Sequence, residues 1–447
     1  MRISSLTLVF IFLATVNSHG CREVYSSTSQ EEEKTGVYEI SDPSRISGLK
    51  LKAGDAVVLK NGTYSSASIR ISANGTADKP VVLRAETPGK VVLTGKSSVK
   101  LSGSHIVCEG LDFRSPDTGT AYPILTAAKG SSCCTFRSCR IDGSDSKPSE
   151  VDSKWVSLYG RHHEVSGCSF IDKKNMGCLL VVWMEEGIVP EHSILNNYFS
   201  RPNTVYSEDG DALNGQEAIR IGTSDYSMSE AGCIVKGNHF YGCHGERAEI
   251  ISSKSCGNLY EGNLFEDSDG SLTLRHGNRC IVRGNYFVRS DETKMGGVRI
   301  IGENHLVENN FFLNLKGSGY KSALSVVRGE SNAALNGYWT VRNAIVRNNV
   351  FIGCSNGITV NCSGRSTQDT APVGTLIENN LIISEKSSAK AIEVIEMPVA
   401  EIKFAGNRIY GGRQIGVSLE TLKDKPAAPD CTREIEAIRS SAGINWK

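Results

Sequence analysis

Cys233-Ile-Val-Lys-Gly-Asn238-His-Phe240, Asn258-Leu-Tyr-Glu-Gly-Asn263-Leu-Phe265 and Cys280-Ile-Val-Arg-Gly-Asn285-Tyr-Phe287 share one grammar. Each runs two or three apolar residues, a polar pair closing on asparagine, any residue, and a large apolar side chain. Further copies are His192–Phe199, His305–Phe312 and Ala344–Phe351, and looser ones end at Phe113, Ile141, Phe170, Ile382 and Ile409. Most copies recur every 22 to 31 residues, while the gaps from Phe199 to Phe240 and from Phe312 to Phe351 are longer. No amphipathic run at a 3.6 period accompanies them, which excludes a helical solenoid. Short Val-, Ile- and Phe-rich segments broken by Gly and Asn read as strands. Paired strands around a tight asparagine turn, repeated at this interval, describe the coils of a parallel β-helix.

The expected class is therefore all-β, a single-stranded right-handed parallel β-helix (a solenoid), in one domain over residues 36–447. Asparagine suits the turn because it tolerates the left-handed backbone region and its amide can bond to the stacked asparagine of the next coil. Cys139 and Cys168 replace it in two early copies, so the asparagine ladder is expected to begin at Asn197. The two long gaps must hold loops, where function tends to sit on a rigid scaffold. Residues 421–447 lack the repeat and are expected to cover the last coil.

Working outward, Arg2 and the apolar stretch Leu6–Val16 read as an export signal over residues 1–20, too short to span a bilayer. Ser18-His19-Gly20-Cys21 resembles a bacterial lipoprotein cleavage site, making Cys21 a lipid anchor and residues 21–35 an acidic, Ser-rich tether. Periplasmic or outer-membrane residence in a bacterium follows, with plain secretion as the alternative. Most of the remaining cysteines lie beside apolar residues within the repeats and are expected to be buried free thiols. Basic and acidic residues balance at 49 each, so no global field draws in a polyanion, and a nucleic-acid partner is not expected. An anionic substrate would need local arginine and lysine clusters.

Two segments depart from the repeat: Gly245-Glu246-Arg247-Ala248-Glu249-Ile250-Ile251-Ser252-Ser253-Lys254-Ser255, and one coil later Leu272-Thr273-Leu274-Arg275-His276-Gly277-Asn278. Lys254 follows Phe240 by 14 residues and Arg275 follows Phe265 by 10, so a short insertion would bring both to one sheet on neighbouring coils. Strands about 4.8 Å apart would then present a lysine and an arginine to one sugar. That pairing suits β-elimination of a uronic acid. The proton beside the carboxylate needs a base, and the carboxylate charge must be neutralised as the carbanion forms. A lysine crowded by other cations favours the neutral amine, and an arginine holds a carboxylate bidentately.

Glu-Ile-Ile-Ser-x-Lys-Ser followed by Arg-His-Gly resembles polysaccharide lyase family 6, which contains alginate lyases and chondroitinase B. Asn61-Gly62-Thr63-Tyr64, Asn214–Gly222, Gly296–Gly302 and Gly317-Ser318-Gly319-Tyr320 are similar to its alginate-lyase branch. The resemblance implies Lys254 as general base, Arg275 as general acid or proton relay, and Arg220, His276, Arg299 and Tyr320 along the substrate groove. In calcium-using members two glutamates stand seven and five positions before the lysine, with a distant asparagine. Here those positions hold Arg247 and Glu249. Arg247 would put a fixed positive charge on the substrate carboxylate in place of calcium, with Glu249 and Asn214 as electrostatic support. Glu246 could restore a metal site, but a one-residue slip in a strand turns a side chain to the opposite face. Catalysis without calcium or another cofactor is the expectation favoured here, and a calcium site the alternative. Alginate is the expected substrate, with dermatan sulfate as the alternative. A β-helical glycoside hydrolase would need carboxylates one coil apart, which the cluster Glu208-Asp209-Asp211 lacks. A non-catalytic carbohydrate-binding β-helix is the other rival.

Overall fold

The computed structural model describes residues 35–446 except 397, 399 and 400. The export signal, Cys21 and nearly all of the tether lie outside the described residues.

Each coil carries three strands, one in each of three parallel sheets of 14, 13 and 13 strands, so the chain is a parallel β-helix. Sheet one runs from Val37–Ile40 to Ile402–Ala405, sheet two from Gly62–Ser65 to Arg408–Gly411, and sheet three from Ser68–Asn74 to Arg413–Ile415. The repeat grammar covers only sheets one and two. Sheet three lies in the stretches between copies, and it carries the site.

The terminal apolar residues of the repeats form one register row in sheet two: Phe113, Ile141, Phe170, Phe199, Phe240, Phe265, Phe287, Phe312, Phe351, Ile382 and Ile409. From Phe170 to Phe351 the rings stack with centroids 4.6–5.0 Å apart. That spacing is the strand spacing, so each ring fills the step between coils and adds stacking to burial. The apolar core is continuous from Ile40 to Ile409.

The asparagine ladder begins at Asn197 as expected and runs through Asn238, Asn263, Asn285, Asn310, Asn349 and Asn380 to Asn407. Each Oδ1 accepts the backbone N–H of the asparagine one coil before it, at 2.8–3.1 Å. Upstream the row continues in sulfur, with Cys139 N–H on Cys168 Sγ and Cys168 N–H on Asn197 Oδ1. One detail corrects the sequence reading. The left-handed residue is the one before the ladder position, such as Asn196 (φ 52°), Gly237 (66°), Gly262 (61°) and Asn348 (55°). The polar pair therefore divides its labour: the first residue makes the turn, and the second bonds along the stack. Cys139, Cys168, Cys243 and Cys280 are buried free thiols.

The C-terminal segment meets the last coil only at its start, where Thr421 bridges Ile409 and Leu422 N–H bonds the Ile409 carbonyl at 2.7 Å. It runs back along the molecule as a strap: Lys425 pairs with Glu385, Arg439 with Glu266, Gly443 N–H with the Asn196 carbonyl, and Trp446 Nε1 with the Ser138 carbonyl. Its one helix, Thr432–Ser441, packs Ile435 on Leu264 and Val288. Burial pushes the Glu266 carboxyl up, but hydrogen bonds from His239 and Arg439 and the Arg439 charge hold it at about 2. A depressed carboxylate pKa stabilises the fold above its unfolded value near 4.5, and that contribution disappears as pH falls from there toward 2. Arg439→Ala is expected to lower the Tm at pH 7 and to flatten the Tm loss between pH 5 and 3. Parallel Tm–pH curves for variant and parent would show that the strap is not held this way.

Candidate active site

On sheet three, Val181, Arg220, Ser252, Thr273, Arg299 and Ser325 pair in register as one outward row. Arg220 and Arg299 thus stand three coils apart, with Ser252 and Thr273 between them. Both hydroxyls are buried and meet no hydrogen-bond partner, so the floor between the arginines keeps polar capacity for a ligand. Lys254 and Arg275 lie two residues beyond Ser252 and Thr273 on these adjacent strands. A bulge after Ser253 sets Lys254 opposite His276.

The insertion that aligns them is the turn before the strand Glu249–Lys254. Seven residues, 242–248, link that strand to sheet two, against three, 267–269, one coil later. Gly245 sits at φ 39°, where a Cβ would come within 2.2 Å of the Gln216 carbonyl oxygen of the preceding coil. Arg247 is also left-handed, at φ 59°. Strand alternation therefore does not extend back to residue 246, and the expectation that Glu246 faces away is overturned.

Glu246 instead meets Glu217 and Glu249, with one carboxylate oxygen of each within 4.8 Å of the others. Arg247 turns outward, half exposed, to pair with Asp269 at 3.0 Å and the Tyr206 hydroxyl at 3.2 Å. It does not stand among the carboxylates. Asn214 is exposed, three residues before Glu217. Burial pushes the Glu217 pKa up, with Lys254 pulling it down and Glu249 pushing it further. Burial, then Glu217 and Glu249, push Glu246 up to about 8, although its Oε2 accepts the Gly215 N–H at 2.7 Å. Glu217 Oε2 is buried without a partner. Three converging carboxylates, one with a buried unpartnered oxygen, suit a hard divalent cation, which takes 6–8 oxygens at about 2.3–2.6 Å when it is calcium.

Arg299 is 4% exposed, bonds Glu249, and lies over the Tyr320 ring at 5.4 Å. It ties Glu249 to the Gly319–Lys321 turn. Tyr320 itself is 36% exposed, and Lys321 Nζ bonds the Arg247 carbonyl at 2.5 Å. Arg275 is clamped by the loop of the second long gap: Nη1 donates to the Gly337 carbonyl at 2.8 Å and Nη2 to the Asn336 carbonyl at 3.0 Å. The Tyr338 ring lies 4.2 Å beneath its guanidinium. Burial lowers the Arg275 pKa, with Tyr338 and Glu249 opposing. His276 is buried, and burial, then Arg275 and Lys254, lower its pKa to about 3. Neither of its ring nitrogens has a good hydrogen bond, the Asn336 backbone exerting only a weak opposing pull. Burial favours the neutral imidazole, and its residue lies opposite Lys254 in the strand pair. Arg220 packs its guanidinium on Trp183, which stacks on Tyr159.

Sequence reasoning missed Glu217 and the loop carbonyls, and set Glu246 aside. The Chondroitinase B family profile matches residues 45–423. The chain belongs to this family. The lyase is similar over 93% of its length to a mannuronic-acid-specific polysaccharide family 6 lyase from human gut microbiota, at 27% identity and TM-score 0.77, covering 97% of that chain. It is 29% identical to the family 6 alginate lyase AlyGC, with TM-score 0.79 over 93% of this chain, and spans 59% of AlyGC's length. A family 6 alginate lyase solved with a trisaccharide shares the fold at 23% identity and TM-score 0.75, covering 89% of this chain and 90% of that one. A search of curated proteins finds no match. The protein is a polysaccharide lyase.

Proposed function

We propose that this lyase cleaves alginate by β-elimination, with Lys254 as base and Arg275 as acid. The carrying observation is that Lys254 and Arg275 lie on adjacent strands of one face, beside the Arg220–Arg299 row and three converging carboxylates. Lys254 Nζ takes the proton from the carbon beside the uronate carboxylate. As the bond to the glycosidic oxygen breaks, Arg275 supplies a proton to the leaving oxygen, and a carbon–carbon double bond remains in the new chain end. Two backbone carbonyls and the Tyr338 ring fix the guanidinium fork, so its remaining N–H groups point consistently. The similarity to alginate lyases above 25% identity supports alginate over dermatan sulfate.

Glu217, Glu246 and Glu249 would hold a divalent cation such as calcium, which when bound neutralises the substrate carboxylate. We also propose export with lipidation at Cys21, on the sequence of residues 1–21 alone.

Ultraviolet absorbance during incubation with alginate, polymannuronate, polyguluronate and dermatan sulfate tests the reaction and the substrate together. Growth of the conjugated double-bond signal on an alginate block is expected. A signal on dermatan sulfate alone would reassign the substrate, and none on any polymer would sink the proposal. A chelator is expected to slow the reaction and lower the Tm, since a ligand bound only to the native state stabilises it. An unchanged rate and Tm would show that the carboxylates work without a cation.

A further inference from the structure

A cavity of about 460 Å³ opens where sheet two turns into sheet three, and it shares no residue with the site above. Ile352 and Ile383 give it an apolar side. Its polar side is cationic, with Arg289, Lys316, Lys386 and Lys425 lining it against a single carboxylate, Glu385. Lys425 comes from the returning C-terminal strap, so the wall is completed only when that segment is in place.

Two of these cations are already compensated, Lys425 by Glu385 and Lys316 by Glu292. Arg289 is different. It is 8% exposed, its Nε donates to the Asn314 carbonyl at 2.6 Å, and its Nη1 has no partner. Among the described residues no carboxylate pairs with it. Glu292, already paired with Lys316, acts on Arg289 only at a distance, and a buried guanidinium with no ion pair of its own is unfavourable unless an anion completes it. Its planar fork matches a carboxylate, and the cavity is within the size range of small-molecule sites. Lys386 adds a second cation that no acidic group among the described residues pairs with.

We propose that this cavity binds a small organic carboxylate, a uronic acid sugar, with the carboxylate on Arg289 and Lys386 and a C–H face against Ile352 and Ile383. The preference for a carboxylate rests on the cavity itself, and the choice of a uronate rests on the substrate class proposed above. The same chemistry is offered by a released oligosaccharide and by a remote part of the polymer.

The test uses the full chain carrying Lys254→Ala to stop turnover, titrated calorimetrically with mannuronate and guluronate disaccharides and, separately, with long alginate. Two classes of disaccharide site are expected, one of them weakened at least tenfold by Lys386→Ala or Arg289→Gln. Lys386 is exposed, so its variant is informative even if the Arg289 variant does not fold. Dependence on Lys386 for polymer but not disaccharide would assign the cavity to the polymer. A single disaccharide site, or two indifferent to both substitutions, with polymer binding equally unaffected by them, would overturn the proposal. Elimination by the unsubstituted enzyme is measured separately. Lys386-dependent binding without elimination would retire the lyase mechanism and leave the cavity assignment standing.

Discussion

Lys254→Ala is expected to lower kcat on alginate by about 10²–10⁴-fold, the usual contribution of a positioned general base, while the protein stays folded. The argument for an intact fold is local. Among the described residues Lys254 has no ion pair, and its strand is fixed by inward neighbours: Ile251 is core, and Ser253 Oγ accepts from Asn258 Nδ2 at 3.2 Å. The substitution does remove a positive charge beside Glu217 and Glu246, whose carboxyls Lys254 pulls down. A small Tm loss that added calcium restores is therefore expected alongside the loss of turnover. Arg275→Lys is the companion variant. A lysine cannot span the Asn336 and Gly337 carbonyls as the fork does, so turnover should fall although charge is kept. Binding of alginate that survives in both variants, with turnover gone, fits the mechanism. Turnover within tenfold of the parent in Lys254→Ala would remove Lys254 as the base.

Asn263→Leu is expected to destabilise the protein by about 3–5 kcal/mol, since it removes four buried hydrogen bonds at roughly 0.5–1.5 kcal/mol each and strands one buried N–H at roughly 1–3 kcal/mol. Asn263 Oδ1 accepts from Asn238 N and Nδ2, and its Nδ2 donates to the Val235 carbonyl and to Asn285 Oδ1. Leucine fills similar space but makes none of these four bonds and leaves the Asn238 N–H unpaired in the core. Asn407→Leu provides the comparison. It ends the ladder, is partly exposed, and supports only Asn380 and the Ile377 carbonyl. Water can take over there, so its loss should be well under half as large. Equal effects in chemical denaturation would show that the ladder's bonds do not set the stability.

The coil grammar was legible because a β-helix repeats its core row at every turn. Phe199, Phe240 and Phe265 had to be large and apolar, and Asn238 and Asn263 had to carry amides, whatever loops lay between them. Lys254 and Arg275 were legible because both break that grammar on consecutive coils. The three-sheet cross-section was not legible, since strands of sheet three such as Leu180–Val182 and Ile219–Ile221 follow turns of variable length and carry no fixed punctuation. The path of residues 421–446 was also hidden, because a strap is placed by single contacts such as Arg439 on Glu266 and Trp446 on Ser138.

The carboxylate cluster shows the division most clearly. Alternation puts Glu217 on the parity of Ile219 and Ile221, hence toward the core, and sends Glu246 away from Glu249. Those rules hold for extended backbone. Glu217 lies in irregular chain before the strand Ile219–Ile221, and Glu246 sits in a turn that the left-handed conformations of Gly245 and Arg247 re-aim. The sequence by itself determined the β-helix, the stacked phenylalanine and asparagine rows, and the coils that carry the lysine and arginine, because strand periodicity is a property of neighbouring residues. Only the tertiary structure decided which carboxylates meet, that Arg247 stands outside them, and that a loop from residues 336–338 clamps Arg275. Those contacts join residues far apart in the chain through turns whose direction a few backbone dihedrals set.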